Sequence, residues 1–417
     1  YLTQSRSNSP SGAGDRPDFY WPTKEDAVMK ILMVISEAPP IKSGIARVAD
    51  RLSNGLAASG HQVDILSLND VPRWEWGEIR LSSMPLRINA IRKRLRNYDL
   101  IHLHGPVPTF SDVFLLGALS RQRPPLVYTH HAPIDLRHFP YRLFAPPYNA
   151  VQERLARLAD HVVVTTPTYG QCLSRHVPPE KLSVIPWGVD YDHFAAPIQK
   201  EGPFTVLFLG QIRPYKGLPV LLNAFRGVDN ARLWIVGDGH RARASYRLAQ
   251  ELGLRNVTFW GRLPDVEMIE RLRRAHVLVL PSVTRSEAFG LALLEGMAAG
   301  CVPVASHLPG VADVVGNEGF TFPAGNQYAL HEILTRLGND ETLRQHHAEL
   351  AQARARLYPW ERVVFGYERI FTRLAAHAGA AVPSAALPPA LNGHMSGQGA
   401  VRRARHLVNN AWSESQT

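Results

Sequence analysis

Short apolar segments alternate with helical patterns along most of this 417-residue chain, and the alternation begins anew after residues 190–202. In the first series, buried β-strands are predicted over 30–36, 62–68, 99–103, 125–129 and 161–165. In the second series, they are predicted over 204–209, 232–236, 257–259, 277–280 and 302–305. Helices between successive strands imply parallel sheets that are covered on both faces. We therefore predict an α/β protein with two doubly wound, Rossmann-like domains that face each other across a cleft.

The composition changes at both ends of this compact region. The first 28 residues are rich in Ser, Pro, Gly and charge, and residues 378–400 are rich in Ala, Pro and Gly. Such segments bury too little apolar surface to pack. The predicted organisation is a disordered extension over 1–28, a first domain over 29–190, a second domain over 203–357 and a flexible tail over 378–417.

The overall composition is that of an ordinary soluble globular protein, with 45% hydrophobic and 20% charged residues. Cys172 and Cys301 are the two cysteines, and they lie far apart without metal-ligand spacing. This argues against a disulfide framework and against a zinc site. No uninterrupted apolar run reaches the roughly 18 residues of a membrane-spanning helix. We therefore expect a cytoplasmic protein.

The net charge of +10 comes from 46 basic and 36 acidic residues, and part of the excess lies in the segment Arg87–Arg96. Ile88, Ile91 and Leu95 recur there at helical spacing, which leaves the basic groups on the remaining faces. This surface predicts peripheral contact with an anionic membrane at its inner face, and a solvated helix face is the alternative. Nucleic acid is not expected as a partner, because no recognised binding motif accompanies the charge.

The segment SEAFGLALLE places two carboxylates, Glu287 and Glu295, on either side of a Phe-Gly-Leu step. On one helix this spacing turns the second carboxylate by about 80° and moves it about 12 Å along the axis, so the pair cannot share a proton. We predict that Glu287 lies in the loop before a helix and that Glu295 lies two turns inside it. Carboxylates can accept hydrogen bonds from the hydroxyls of a ligand, and the free N–H groups of residues 289–291 can bind a phosphate. An amphipathic helix with an exposed acid at each end is the alternative.

The loops after the predicted strands carry further candidates. Gly44 opens a helix and allows a ligand to approach the backbone. His131 follows the fourth strand, where a histidine can bind a sugar hydroxyl or transfer a proton. Arg213 and Lys216 are two cations that can clamp a diphosphate. The Gly-Asp-Gly loop around Asp238 has room for a nucleotide, although its spacing is not a dinucleotide fingerprint. Tight turns, structural loop histidines and exposed loop cations are the structural alternatives.

Taken together in this order, these residues resemble the GT-B glycosyltransferases, specifically the retaining glycosyltransferase family 4 (group 1). The resemblance covers nearly all of residues 30–375. The elements that carry it are Gly44, Tyr98–His104, the His131 loop, Ile185–Asp190, Lys216–Gly217, Gly237–Gly239, Phe259–Gly261, Leu280–Ser282 and Glu287 through Glu295. Residues 358–362 resemble the start of a terminal helix, over 358–377, that crosses back to the first domain.

The resemblance implies a role for each charged candidate. Arg213 and Lys216 would hold the diphosphate of a nucleotide sugar and stabilise it as a leaving group. Glu287 would bind hydroxyls of the transferred sugar, and His131 would face that sugar. Glu295 would bind the ribose hydroxyls. The other implied substrate contacts are Gly44 against the phosphates, the N–H groups of Phe289, Gly290 and Leu291 beside the sugar, Asp238 in the nucleotide loop, and Gly261, Arg262 and Leu263 near the base.

The same resemblance implies a retaining hexosyltransferase of polysaccharide or glycoconjugate biosynthesis. Its donor would be a UDP- or GDP-sugar, and its hydroxyl acceptor a glycan, a glycolipid or a small-molecule glycoside. No metal and no other cofactor are expected, because the cations and the helix N-terminus already supply positive charge. The alternatives are a GT-B phosphorylase or sugar-phosphate synthase, and a non-catalytic module that binds a nucleotide sugar.

Four positions depart from the family pattern. Gln211 stands where many relatives have an arginine, so Arg213 is assigned in its place. Ser43 replaces the first glycine of a Gly-Gly pair, Ala132 replaces an acid after the loop histidine, and Gly296 replaces an alanine after the second glutamate. None of these changes removes an expected cation or carboxylate, which favours an active enzyme.

Overall fold

A computed structural model describes residues 28–41, 43–76, 79–84, 95–119, 123–135, 141–198, 200–377 and 401–403. The extension before residue 28, most of the basic segment Arg87–Arg96 and most of the tail after residue 377 lie outside these ranges, so the predictions made for them stay predictions. Within the described ranges, no helix is both long enough and apolar enough to cross a membrane.

The first domain is built on a parallel sheet. Its strands are β1 (Lys30–Ile35), β2 (Gln62–Ser67), β5 (Leu100–Gly105), β6 (Leu126–His130), β7 (His161–Val164), β8 (Leu182–Val184) and, from much later in the chain, β15 (Val401–Arg403). Two further strands, β3 (Arg73–Trp76) and β4 (Ile79–Ser82), form a separate antiparallel pair. The strand order in the parallel sheet is β15-β2-β1-β5-β6-β7-β8. The central strands are buried along their length, as expected for a sheet covered on both faces.

The second domain repeats this plan with six parallel strands. They are β9 (Phe204–Leu209), β10 (Ala231–Val236), β11 (Val257–Gly261), β12 (Val277–Leu280), β13 (Val302–Ser306) and β14 (Phe320–Phe322). Their order in the sheet is β11-β10-β9-β12-β13-β14. In each domain the carboxyl ends of the parallel strands therefore lie along one edge of the sheet, which is where doubly wound sheets bind ligands.

Helices connect the strands and cover the sheets. They are α1 (Gly44–Ala58), α2 (Ser111–Gly117), α3 (Tyr141–Ala156), α4 (Pro167–Leu173), α5 (Tyr191–Phe194), α6 (Leu218–Ala224), α7 (Ala242–Glu251), α8 (Asp265–Arg274), α9 (Leu291–Ala298), α10 (Val311–Val315), α11 (Gln327–Asn339), α12 (Glu341–Ala355) and α13 (Trp360–His377). The helix α3 contains two prolines, Pro146 and Pro147. Both lie in the second turn of the helix, where a proline lacks the N–H that would bond to the carbonyl four residues earlier.

The last helix joins the two domains. The N–H of Val189 donates to the carbonyl of Tyr358 at 2.7 Å, just before α13 begins. Gly188 allows this approach, because a Cβ there would lie 2.8 Å from the Cα of Trp360. Further along, α13 packs on α1, where Gly55 makes room for the side chain of Val364. One apolar core thus continues from the first domain into the second.

The two-sheet architecture confirms the fold predicted from the strand and helix alternation. The edge strands β8 and β14 are not predicted from the sequence, because each has three residues and forms no continuous apolar run. It also assigns 401–403 to a flexible tail, whereas these residues form β15 beside β2. Backbone hydrogen bonds hold such an edge strand, and composition carries no signal for them.

Candidate active site

A cleft of about 1060 Å³ separates the two domains at the carboxyl ends of both sheets. Glu37 and His131 line it from the first domain, and Arg213 lines it from the second. At one end the two sides touch, because the N–H of Arg285 donates to the carboxylate of Asp135 at 2.9 Å. The predicted cleft therefore exists, and residues of both domains reach it.

Lys216 and Glu287 form a shielded ion pair beside this cleft. The ammonium of Lys216 lies 2.5 Å from the carboxylate of Glu287, and their side chains are only 14% and 10% exposed. The hydroxyl of Ser282 donates to the same carboxylate oxygen at 3.1 Å. Burial lowers the pKa of Lys216, but the charge of Glu287, the hydrogen bond to Glu287 and the neighbouring Tyr215 together more than offset burial and leave this pKa above its ordinary value. Lys216 therefore stays charged, and a ligand that enters meets the two members of this ion pair side by side.

A tight turn holds Lys216 in place. Residues Pro214–Lys216 form one 3₁₀ turn, and Gly217 then adopts the left-handed conformation with φ at 66°. The N–H of Val283 donates to the carbonyl of Tyr215 at 2.7 Å, which fastens the turn to the loop after β12. A side chain at position 217 would overlap the carbonyl oxygen of Pro281. The turn thus brings the Lys216 loop against the Glu287 loop.

Gly217→Ala should therefore destabilise the protein by about 2 kcal/mol more than a glycine change that adds backbone strain alone. Gly253 is the matched control, because its φ is 68° and a Cβ there would meet no atom within 4 Å. Urea unfolding of the Gly217→Ala and Gly253→Ala variants measures the difference. Equal losses in the two variants would show that the contact with Pro281 does not matter.

Arg213 is less tightly held than Lys216. Its side chain is 35% exposed, and its guanidinium lies 4.0 Å from the carboxylate of Glu37 across the cleft. This separation is at the limit of an ion pair, so the side chain can turn towards a ligand at little cost. The structure thus brings the two predicted cations into one loop at the cleft, one of them fixed and one open to solvent.

The loop after Glu287 leads into α9. Gly290 has φ at 82° and precedes the first helical residue, Leu291. The side chain of Phe289 is buried in the apolar core. Among the described residues, we find no acceptor for the N–H groups of Phe289, Gly290 and Leu291. Glu287 thus lies in the loop ahead of the helix, as predicted, with unpaired N–H groups after it.

Glu295 has a partner that the sequence does not reveal. It lies in the second turn of α9, one turn nearer the N-terminus than predicted, because the helix begins only at Leu291. Its carboxylate forms an ion pair with Arg47 of α1. Both residues line a separate cavity of about 190 Å³, with Asp265 at its side. The carboxylate that was expected to bind the ribose, that of Glu295, is therefore paired with an arginine of the opposite domain.

Gly44 begins α1 and faces the beginning of α9. A Cβ at Gly44 would lie 3.6 Å from a methyl carbon of Leu291. The hydroxyl of Ser43 accepts from the N–H of Ala46 at 3.1 Å and caps α1. Two helix N-termini, one from each domain, thus lie close together, and both favour negative charge in the space between them.

The remaining predicted contacts lie around the ends of β10 and β11. Asp238 is exposed, and its carboxylate accepts from the N–H of Gly239 at 2.7 Å. Gly261 has φ at 66° with open space around it, Arg262 is exposed and Leu263 is half-buried. None of these residues lines the large cleft. These loops, which were predicted to bind the nucleotide, therefore lie outside the lining of the large cleft.

His131 lies at the wall of the cleft and belongs to a group of stacked rings. Its Nε2 lies 3.2 Å from Nδ1 of His104, and the planes of the two rings differ by 22°. Trp187 packs near both rings. Burial lowers the pKa of His131 to about 3, so the ring is neutral. His104 was not predicted as a site residue, although its position at a strand end next to that of His131 was a usable signal.

A metal site is not apparent in the part of the chain that the structure describes. There, no group of three or more His, Cys, Asp or Glu side chains is placed to hold a metal ion. Among the residues that line the cleft, Arg213 and Arg241 carry positive charge, and Lys216 lies beside it.

Two family models match adjacent parts of the chain. Residues 42–193 match the model of glycosyltransferase family 4, and residues 191–354 match the model of glycosyl transferases group 1. The curated relatives include a D-rhamnosyltransferase of Pseudomonas aeruginosa, 31% identical over 62% of this chain and 69% of that protein. The O-antigen chain mannosyltransferase C of Escherichia coli is 30% identical over 81% of this chain and 96% of its own length.

Solved structures share the two-domain fold. Sucrose-phosphate synthase from Thermosynechococcus elongatus has a TM-score of 0.71 at 21% identity, with 84% of this chain and 99% of that chain covered. HepE of Anabaena, in complex with UDP and glucose, has a TM-score of 0.64 at 18% identity, with 83% and 100% covered. At these identities the likeness establishes the fold and leaves the ligand to be argued from the site.

Proposed function

Because this chain belongs to the group 1 glycosyltransferases of family 4 and is a glycosyltransferase with the GT-B fold, we propose that it transfers a hexose from a nucleoside diphosphate sugar to a hydroxyl acceptor. The observation that carries this proposal is the buried pair of Lys216 and Glu287 beside the cleft. An ammonium next to a carboxylate suits a ligand with an anionic leaving group and hydroxyls close together.

The proposed donor lies across the second domain with its diphosphate at the Lys216 loop. Lys216 and Arg213 bind the diphosphate oxygens, and the unpaired N–H groups at the start of α9 add to this positive field. Glu287 accepts hydrogen bonds from hydroxyls of the transferred sugar. His131 faces that sugar from the first domain, and Gly44 lies against the phosphates. The chemistry of each group matches the role assigned to it.

The nucleoside is proposed to lie next to the loops after β10 and β11. The base lies near Gly261, Arg262 and Leu263, and Asp238 borders the nucleotide. Glu295 accepts hydrogen bonds from the ribose hydroxyls. Arg47 must then either release the Glu295 carboxylate or share it with the ribose. The relatives named as a rhamnosyltransferase and a mannosyltransferase support a hexosyl group, and the UDP complex of the Anabaena protein supports a uridine carrier. A guanosine carrier remains the other candidate.

The proposed reaction breaks the bond between the anomeric carbon and the diphosphate oxygen. The acceptor hydroxyl oxygen forms a new bond to that carbon, and its proton passes to the departing diphosphate. Positive charge around the leaving group lowers the barrier as negative charge builds on it. We propose retention of the anomeric configuration, with departure and attack on one face of the sugar, and this needs no covalent attachment to the protein.

A donor screen tests the proposal. Purified protein is heated with a panel of UDP- and GDP-sugars, without acceptor, and release of nucleoside diphosphate is followed in parallel. We expect one donor to raise the melting temperature by several degrees and to be hydrolysed slowly, because a ligand that binds only the folded state stabilises it. Addition of inorganic phosphate and of sugar phosphates tests the alternatives. Transfer to either of these acceptors, or nucleotide binding without any turnover, would contradict the proposed activity.

A further inference from the structure

A second histidine lines the cleft next to His131, and the proposed function gives it no role. His104 is the fifth residue of β5 and is only 1% exposed. Its Nδ1 faces Nε2 of His131 at 3.2 Å, so one of these two nitrogens carries the shared proton and the other accepts it. Burial lowers the pKa of both histidines, which leaves each ring neutral with a single proton. The pair therefore has two arrangements that differ in tautomer.

The two remaining nitrogens distinguish these arrangements. Nε2 of His104 and Nδ1 of His131 are both buried, and neither has a hydrogen-bond partner among the described residues. If His131 donates to His104, the second proton of the pair is left on Nε2 of His104, a residue that is only 1% exposed. If His104 donates to His131, that proton is on Nδ1 of His131, a residue that lines the cleft more openly. A buried N–H without an acceptor costs more free energy than a buried lone pair without a donor. A bound ligand reaches such an N–H more readily at His131, which is the more exposed of the two residues.

We propose that His104 is a positioning residue that holds His131 in the Nδ1–H tautomer, so that His131 donates a hydrogen bond to an oxygen of the transferred sugar and does not act as a base. This inference rests on the proposed function for the identity of the ligand. The lone pair of His131 Nε2 is occupied by His104, and its Nδ1 carries the only ring proton. The ring therefore has a donor to offer and no free acceptor for the proton of the incoming hydroxyl.

Trp187 supports this arrangement from the side. Its ring lies 6.2 Å from that of His104 and 5.6 Å from that of His131, measured between ring centroids. Such packing limits rotation of both imidazoles about their side-chain bonds. The tautomer and the direction of the donor are thus set before the substrate arrives, as a preorganised site requires.

The first test needs no substrate. Protein labelled with ¹⁵N-histidine is studied by NMR, and the His131 ring signals are assigned by their loss in His131→Gln. We expect a protonated Nδ1 and a bare Nε2. His104→Asn should keep this pattern, because its amide N–H can take the place of Nδ1–H of His104. His104→Leu should lose it. A protonated Nε2 on His131 in the unmodified protein, or an unchanged pattern in His104→Leu, would overturn the proposal.

The second test is kinetic and uses the donor found in the screen. We expect His104→Leu to lower kcat/KM for the donor about tenfold, which is the size of one hydrogen bond in the transition state, with the acceptor KM unchanged. His104→Asn should restore kcat/KM for the donor to within about threefold of the value for the unmodified protein. His161→Gln is the control, because His161 bonds Ser183 at the far side of the same sheet. If the unmodified protein transfers no sugar from any donor, the proposed function fails, and the NMR pattern still decides the tautomer.

Discussion

Lys216→Met and Glu287→Gln are each expected to lower the rate of sugar transfer by at least about a hundredfold. Lys216 supplies a fixed positive charge to the diphosphate as it leaves, and Glu287 orients the sugar that is transferred. Their contact of 2.5 Å means that loss of either side chain also disturbs the other. The measurement is kcat at saturating donor and acceptor, with the donor identified by the screen.

The stability of the same variants separates structure from catalysis. Each single change leaves one buried charge unpaired, so each should destabilise the protein by about 3 kcal/mol. The double variant removes both charges and should recover most of that loss, yet its transfer rate should stay as low as in the single variants. A double variant that recovers activity together with stability would mean that the pair acts only on the fold.

A matched ion pair provides the control. Arg123 and Asp160 lie 2.5 Å apart in the first domain, away from the cleft. Arg123→Met should cost stability without a comparable change in kcat. Near-normal turnover in Lys216→Met or in Glu287→Gln would reject the assignment of these residues to the active site.

The second large effect concerns acid. The melting temperature should fall by about 10 °C between pH 7 and pH 5, because histidines of the first sheet are buried in their neutral form. Burial lowers the pKa of His102 to about 3 and that of His130 to about 4. Both side chains are almost fully buried. In the folded protein these two rings therefore take up a proton only at a pH several units below that of the unfolded chain.

The sign of this effect follows from proton binding. The unfolded chain takes up these protons near pH 6.5, whereas the folded protein takes them up only near pH 3 to 4. The stability from the neutral rings is therefore complete above pH 6.5 and is lost as the pH falls towards the folded pKa. At pH 5 each such histidine costs about 2 kcal/mol.

Thermal unfolding as a function of pH measures this slope. His102→Gln should show a shallower slope than the unmodified protein, whatever its absolute melting temperature. His193→Gln serves as control, because that side chain is exposed. If His102→Gln and the unmodified protein have equal slopes, burial of this histidine does not produce the acid sensitivity.

The charged groups of the candidate site illustrate what local pattern can predict. Glu287 was expected in a loop before a helix, because the Phe-Gly-Leu step signals a helix start, and it lies there. The position of Glu295 within α9 was predicted one turn too deep, since pattern alone does not locate the first helical residue. Its pairing with Arg47 was missed altogether, because these two residues lie 248 positions apart in the chain.

The contact between His104 and His131 is another that local pattern does not predict. Its spacing within β5 and the end of β6 at His130 suggest that His104 and His131 are neighbours across two parallel strands. Only the pairing of these strands, with Gly105 opposite His130, shows that the rings stack. The register depends on how the whole sheet assembles, and a short segment carries no record of it.

The sequence by itself determined the two wound sheets, because apolar runs separated by amphipathic helices can bury their surface in few other ways. It also determined which strand-end loops carry carboxylates, cations and a histidine. The tertiary structure alone decided which of these groups meet: Lys216 with Glu287, Glu295 with Arg47, and His131 with His104. The physical reason is that periodicity and turn chemistry act over a few residues, whereas ion pairs and ring contacts depend on strand order and on how two domains pack together.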